Sequence, residues 1–173
     1  MFKNNMKQLF ILVTVSLLGF SICQAQELPN LKAVKLNKNA NYKTAEPIAL
    51  KVSNYLFATS IDRRNRQRIE AGNFLIRWMN GTPDYTFYVE DREMNLFGFD
   101  SDVLLMYMAA LTKFMLEHPQ IKHKDEQALG AVNIVLPYLN KESDKKRWPN
   151  LLWQLNDAYQ QNKTAEFLKQ IER

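Results

Sequence analysis

Apolar residues recur along this chain at the spacing of helices. From Thr44, a residue suited to capping a helix N-terminus, Ile48, Val52, Tyr55, Leu56 and Thr59 share one face at i, i+4, i+7 and i+8. Pro47 then falls in the first turn, where its missing N–H costs little. A second helix is predicted over 62–79, with Ile69, Gly72, Ile76 and Met79 on one side and Trp78 beside them; Asn80-Gly81 and then Pro83 stop it. Asp100 or Ser101 caps a third, whose stretch VLLMYMAAL (103–111) is nine apolar residues without a break. A helix apolar all round belongs at the centre of a fold, and Asp102 and Lys113 bracket too few residues for a membrane span. His118-Pro119 ends it. A fourth helix near 124–136 carries Ala128, Val132, Val135, Leu136 and Leu139 on one face, and Pro137 is expected to end or kink it. A fifth near 148–161 has Trp148, Leu151, Leu152, Leu155, Ala158 and Tyr159 as one stripe, and a short last helix holds Phe167, Leu168 and Ile171. The pattern predicts an all-α fold over 44–173, an antiparallel helical bundle or helical-hairpin array of five to six helices.

The first 25 residues follow a different pattern. Lys3 and Lys7 precede an almost unbroken apolar run from Leu9 to Ile22, and no acid appears before Glu27. The run is the length of a secretory h-region and short of the ~20 residues that cross a bilayer. Cys23 and Ala25 supply a small-residue cleavage site, so residues 1–25 read as a cleavable signal and the mature protein as periplasmic or secreted. Lipidation at Cys23 is the competing address, disfavoured by the branched Ile22 before it. Cleavage at Ala25 removes the chain's one cysteine, leaving a domain that stands on its core without disulfides. Residues 26–43, rich in Asn and Lys, read as an N-terminal arm or tether.

The helical pattern breaks over residues 80–100, NGTPDYTFYVEDREMNLFGFD. A loop of that length inside a compact domain leans towards function. It holds Tyr85, Phe87, Tyr88, Phe97 and Phe99, and from Asp84 to Asp102 it has six acids against Arg92 alone. Two readings stand. One is a binding loop offering aromatic anchors; the other is a wrapped loop or small β-hairpin, with Tyr85–Val89 as a short strand, whose rings finish the core. Upstream, DRRNRQR (62–68) places Arg63, Arg64, Arg66 and Arg68 close together. They are either an anion or acidic-partner site or a solvated face that pairs with the acidic stretch. Tyr85, Phe87, Tyr88, Phe97, Arg63, Arg64 and Arg66 are the candidate binding residues.

Charge and motifs narrow the chemistry. Of 23 basic and 18 acidic residues, two bases leave with the signal, for a mature net charge of +3. That is ordinary solubility charge and points away from nucleic acid. His118 and His123, five apart around Pro119, match no helical metal-ligand spacing, and Asp100-Ser101-Asp102 lacks the glycine and glutamate of a calcium loop. Neither a nucleophile elbow, a phosphate loop nor a dinucleotide fingerprint occurs, so no metal and no cofactor is expected. The expected function is non-catalytic binding of an envelope protein or peptide. The alternative is a small cell-wall or glycan hydrolase working through paired carboxylates, such as Glu117 or a loop acid.

Two stretches carry resemblances. FLIRWMNGTPDYTF (74–87), with the QAQE that ends the signal, resembles small exported helical proteins of the Bacteroidota type. That likeness spans most of the mature chain and implies export, but no activity and no site residues. WQLNDAYQQNKTAEFL (153–168) is similar to half of a tetratricopeptide hairpin, with Leu155, Ala158 and Tyr159 at the packing spacing. No second copy is visible one repeat upstream, where Pro137 falls, so the resemblance implies a single hairpin.

Overall fold

The computed structural model describes residues 27–171; the expected signal and Cys23 lie outside them. Among the described residues are seven α-helices, one 3-10 turn and no strand. The helices are α1 (Asn39–Ala58), α2 (Arg66–Gly81), α3 (Asp91–Phe97), α4 (Ser101–Glu117), α5 (Lys124–Glu142), α6 (Asn150–Gln160) and α7 (Thr164–Ile171), with the 3-10 turn at Lys145–Arg147. None of them is long and apolar enough to cross a membrane.

The all-helical expectation holds, and the run 103–111 makes the centre. α4 touches α1, α2, α3 and α5, and buries Val103, Met106, Tyr107, Ala109, Ala110, Leu111 and Met115. Its most extensive neighbour is α5, where the two backbones approach closely: a Cβ at Gly130 would strike the Phe114 ring. α1 packs on both α2 and α4, while α6 and α7 pair with each other and reach the rest through α3 and α5. The arm is partly incorporated, since Leu31 is buried in the core and its carbonyl accepts from Arg77 at 3.2 Å.

Several boundaries differ from the sequence expectation. The count is seven helices because α3 forms inside the 80–100 stretch. The β-hairpin does not form: residues 85–89 are extended, but no second strand lies beside them among the described residues. α1 begins five residues before Thr44, whose hydroxyl donates back to the Ala40 carbonyl at 2.9 Å instead of capping. Pro47 therefore sits mid-helix, on the exposed side. Pro137 is likewise absorbed, and α5 runs through it to Glu142. α2 starts at Arg66 because Asn65 is the cap that works, accepting from the Arg68 N–H at 3.1 Å. Asp62 instead holds the preceding turn through the Arg64 N–H at 2.9 Å.

One of the four clustered arginines belongs to the interior. Arg68 is 2% exposed and points at the C-terminal end of α1. Its Nη1 donates to the Leu56 carbonyl (2.9 Å), the Thr59 carbonyl (3.2 Å) and Thr59 Oγ1 (2.9 Å), and its Nη2 meets Met106 Sδ at 2.9 Å. The last carbonyls of a helix lack intrahelical partners and carry partial negative charge, so a buried guanidinium there satisfies both.

Candidate functional site

The 80–100 segment is anchored at both ends and in its middle. At its start the Thr82 N–H closes α2 onto the Trp78 carbonyl at 3.0 Å. Gly81 lets the Tyr42 ring lie across the chain, since a Cβ there would collide with the Tyr42 hydroxyl. Trp78 is 0% exposed, and its Nε1 donates to the Tyr42 carbonyl at 3.1 Å. The extended run then crosses this indole: Tyr85 and Phe87 sit 5.8 and 5.9 Å from it, ring centroid to centroid. Their own rings lie 6.3 Å apart at 25°, the relation of i and i+2 side chains on one face of an extended strand. Both rings stay half-buried, with Lys122 Nζ 5.7 Å from the outer ring, Tyr85. Burial, then the nearby Glu46 carboxylate, raises the Tyr85 pKa, so the phenol stays neutral.

α3 follows through a capping box built from two glutamates. Glu90 is the N-cap, and Glu93 Oε2 accepts the Glu90 N–H at 2.9 Å. Glu93 is buried and paired with Arg92 at 2.7 Å, and Arg92 also reaches Asp125 at 3.3 Å. Leu96 and Phe97 fix α3 to the core. Phe97 is wholly buried, stacked on Tyr107 at 4.6 Å and 11°, so this candidate anchor offers no ring to a partner.

The acidic character of the segment is largely absorbed by pairing. Glu90 meets Lys124 at 3.1 Å; Asp100 accepts from Arg63 at 2.8 Å and forms an ion pair with Arg147 at 2.7 Å; Asp102 accepts from Arg63 Nε at 2.6 Å. Of the basic candidates, Arg63 thus joins the acidic stretch, while Arg64 is almost fully exposed with Asp62 at 3.9 Å, and Arg66 is exposed with no ion pair among the described residues. Asp84 and Asp91, at the two ends of the extended run, are exposed and make no ion pair among the described residues.

Arg63, Arg147, Asp100, Asp102, Glu142 and Asp144 rim a cleft of about 280 Å³ floored by Ile61, Phe99 and Val103. Burial alone would raise the Asp100 pKa. The Asp102 backbone N–H and the Arg63 guanidinium outweigh it and hold the carboxyl below its ordinary range. Glu142 is also held low, by hydrogen bonds from Ser60 and Lys141. A general acid needs the opposite shift. Glu117 lies at the exposed end of α4, paired with Lys113 at 2.6 Å. Among the described residues no group of three or more His, Cys, Asp or Glu is placed to hold a metal ion. His118 caps α4 and packs its ring 4.7 Å from Phe114, and His123 lies exposed 3.9 Å from Asp125.

Asp100→Asn tests the clamp. Asn keeps the N-cap function, so the change isolates the ionic part, about 1 kcal/mol once exposure of both arginines is discounted. A depressed pKa contributes stability that is present above the unfolded-state value and lost as pH falls through the folded one. The gap between wild type and variant in urea unfolding is therefore expected at pH 7 and to shrink below about pH 3.9. A gap of constant size down to pH 3 contradicts the assignment.

Sequence reasoning missed Arg68, which looks like its neighbours in the run, and missed α3. A signal for α3 existed in Glu90-x-x-Glu93 before Met94, Leu96 and Phe97, a capping box with Glu in place of Ser or Thr. Comparison with known proteins adds no family to this geometry: no family model matches the chain, and no curated protein or solved structure matches it.

Proposed function

We propose that this is an exported, non-catalytic helical protein that binds a protein or peptide of the cell envelope through the 80–100 segment and the helices beside it. Export rests on the pattern of residues 1–25, and the short connections between helices favour an antiparallel bundle as the scaffold. The observation that carries the binding reading is the pair Tyr85 and Phe87, partly exposed and seated on a fully buried indole. Aromatic anchors on a rigid floor lose little conformational freedom on binding, which is what makes such residues dominate interface energies. The hydrolase alternative is weaker, because Asp100 and Glu142 are both held more acidic than usual.

The test is crosslinking capture from the native envelope with wild type and with Tyr85→Ala, Phe87→Ala and Tyr88→Ala. Tyr88 makes no ring contact among the described residues, so its variant separates binding from folding. Folded variants are expected to lose the captured partner at least about tenfold, the effect of ~1.4 kcal/mol at an interface anchor. Undiminished capture by all three removes the reading.

A further inference from the structure

The run Tyr-Thr-Phe-Tyr-Val, residues 85–89, consists entirely of residues that favour β-strands, and its backbone is extended. Yet it pairs with nothing. No N–H from Asp84 to Val89 and no carbonyl from Pro83 to Val89 makes a hydrogen bond to any described residue. Here the chain prefers a sheet and the fold supplies no neighbour among the described residues. Conflicts of that kind concentrate at functional sites. A row of free donors and acceptors at strand spacing is complementary to one thing in particular, another extended backbone.

The charges select among extended backbones. Asp84 and Asp91 stand exposed at the two ends, seven residues and ~23 Å apart, without ion pairs among the described residues. Bases close by are engaged: Lys43 with Glu46 at 3.1 Å, Lys124 with Glu90 at 3.1 Å, and Lys122 against the Tyr85 ring. A second copy is a poor occupant. Antiparallel pairing about Phe87 sets Asp84 against Glu90, and parallel pairing sets Asp84 against Asp84, and like charges directly opposite destabilise a sheet.

Resting on the binding reading above, we propose that residues 85–89 receive an extended segment of a partner polypeptide by strand addition, with basic side chains of that segment meeting Asp84 and Asp91. Backbone pairing holds the segment, and the terminal carboxylates set its preference.

The probe is a synthetic peptide of alternating threonine and valine with a lysine pair at each end, titrated into the isotope-labelled protein. In a strand pair only every second N–H points at the neighbour. Alternate amides within 84–89 are therefore expected to exchange at least about tenfold more slowly with peptide bound, their neighbours little changed. A glutamate-ended peptide is expected to bind about tenfold more weakly, as two rim charge pairs imply. A peptide with proline at its centre is expected not to bind, for want of a donor. Asp84→Lys with Asp91→Lys, both on exposed side chains, is expected to reverse the lysine–glutamate preference.

No saturable binding of the lysine-ended peptide overturns the proposal and leaves Pro83, Asp84 and Asp91 as guards against edge pairing. Equal binding of the proline peptide also overturns it, as does protection of the same amides by protein concentration alone, which would assign the strip to a second copy. A partner that contacts Tyr85 and Phe87 without protecting those amides removes strand addition while the binding reading stands.

Discussion

Trp78→Ala is expected to cost about 4 kcal/mol of folding stability, the range for removing a fully buried large aromatic. The indole is 0% exposed, and it joins three parts of the chain: α1 through the Tyr42 carbonyl at 3.1 Å, its own α2, and the extended run through Tyr85 and Phe87. Its loss leaves a cavity under the two rings and removes the hydrogen bond to the Tyr42 carbonyl. The effect should also be local. Hydrogen exchange in residues 83–90 is expected to show greater loss of order than in α4, because the run has no backbone bonds of its own to fall back on. Trp78→Phe keeps ring packing but not the N–H, and is expected to cost about 2 kcal/mol. An unchanged urea midpoint for the alanine variant would show that Trp78 is not the floor of this segment.

Arg68→Ala is expected to remove about 3 kcal/mol, or some 6–12 °C of Tm for a domain of this size. Two opposing effects set that figure. Burial of a guanidinium that makes no direct ion pair among the described residues is unfavourable, and its removal relieves that cost. Against this, the Leu56 and Thr59 carbonyls at the end of α1 lose their donor in a site closed to water, although Tyr138 still reaches the Thr59 carbonyl at 2.7 Å. Charged donors make the stronger hydrogen bonds, so the loss is expected to win. Arg68→Met retains the apolar stem and drops the charge, and is expected to cost roughly half as much. Arg64→Ala, from the same cluster but almost wholly exposed, is expected to stay within about 0.5 kcal/mol of wild type. If Arg68→Ala melts with Arg64→Ala, the buried cap contributes nothing.

These two residues show how legibility varied along the chain. Trp78 could be placed only beside the expected apolar face of Ile69, Gly72, Ile76 and Met79, of which Ile69 and Ile76 prove exposed. Arg68 could not be placed at all, because four arginines in one short run look alike until the end of α1 decides which of them it encloses. The same holds for the aromatics. Tyr85, Phe87 and Phe97 have similar surroundings in sequence, but Phe97 is carried into the core by α3 and stacks on Tyr107, whereas the other two stop on Trp78 at the surface. α3 itself escaped notice because two turns of helix are unstable alone; the burial of Leu96 and Phe97 stabilises them.

Pro47 and Pro137 mark the opposite error. Pro47 reads as a first-turn residue and Pro137 as an end or kink, yet both are absorbed on exposed sides of long helices whose inner faces bury enough apolar surface to offset one lost hydrogen bond.

What the sequence by itself determined is the all-helical class, the central place of residues 103–111 and the irregularity of residues 80–100. Each of these is written in near-neighbour spacing, where 3.6-residue periodicity or its absence can be read directly. Tertiary structure alone decided that Arg63 clamps Asp100 across 37 positions, that Arg68 caps α1, and that residues 85–89 make no backbone hydrogen bond among the described residues. Those outcomes depend on which distant groups meet in space, and a burial or a pairing of that kind leaves no period in the chain.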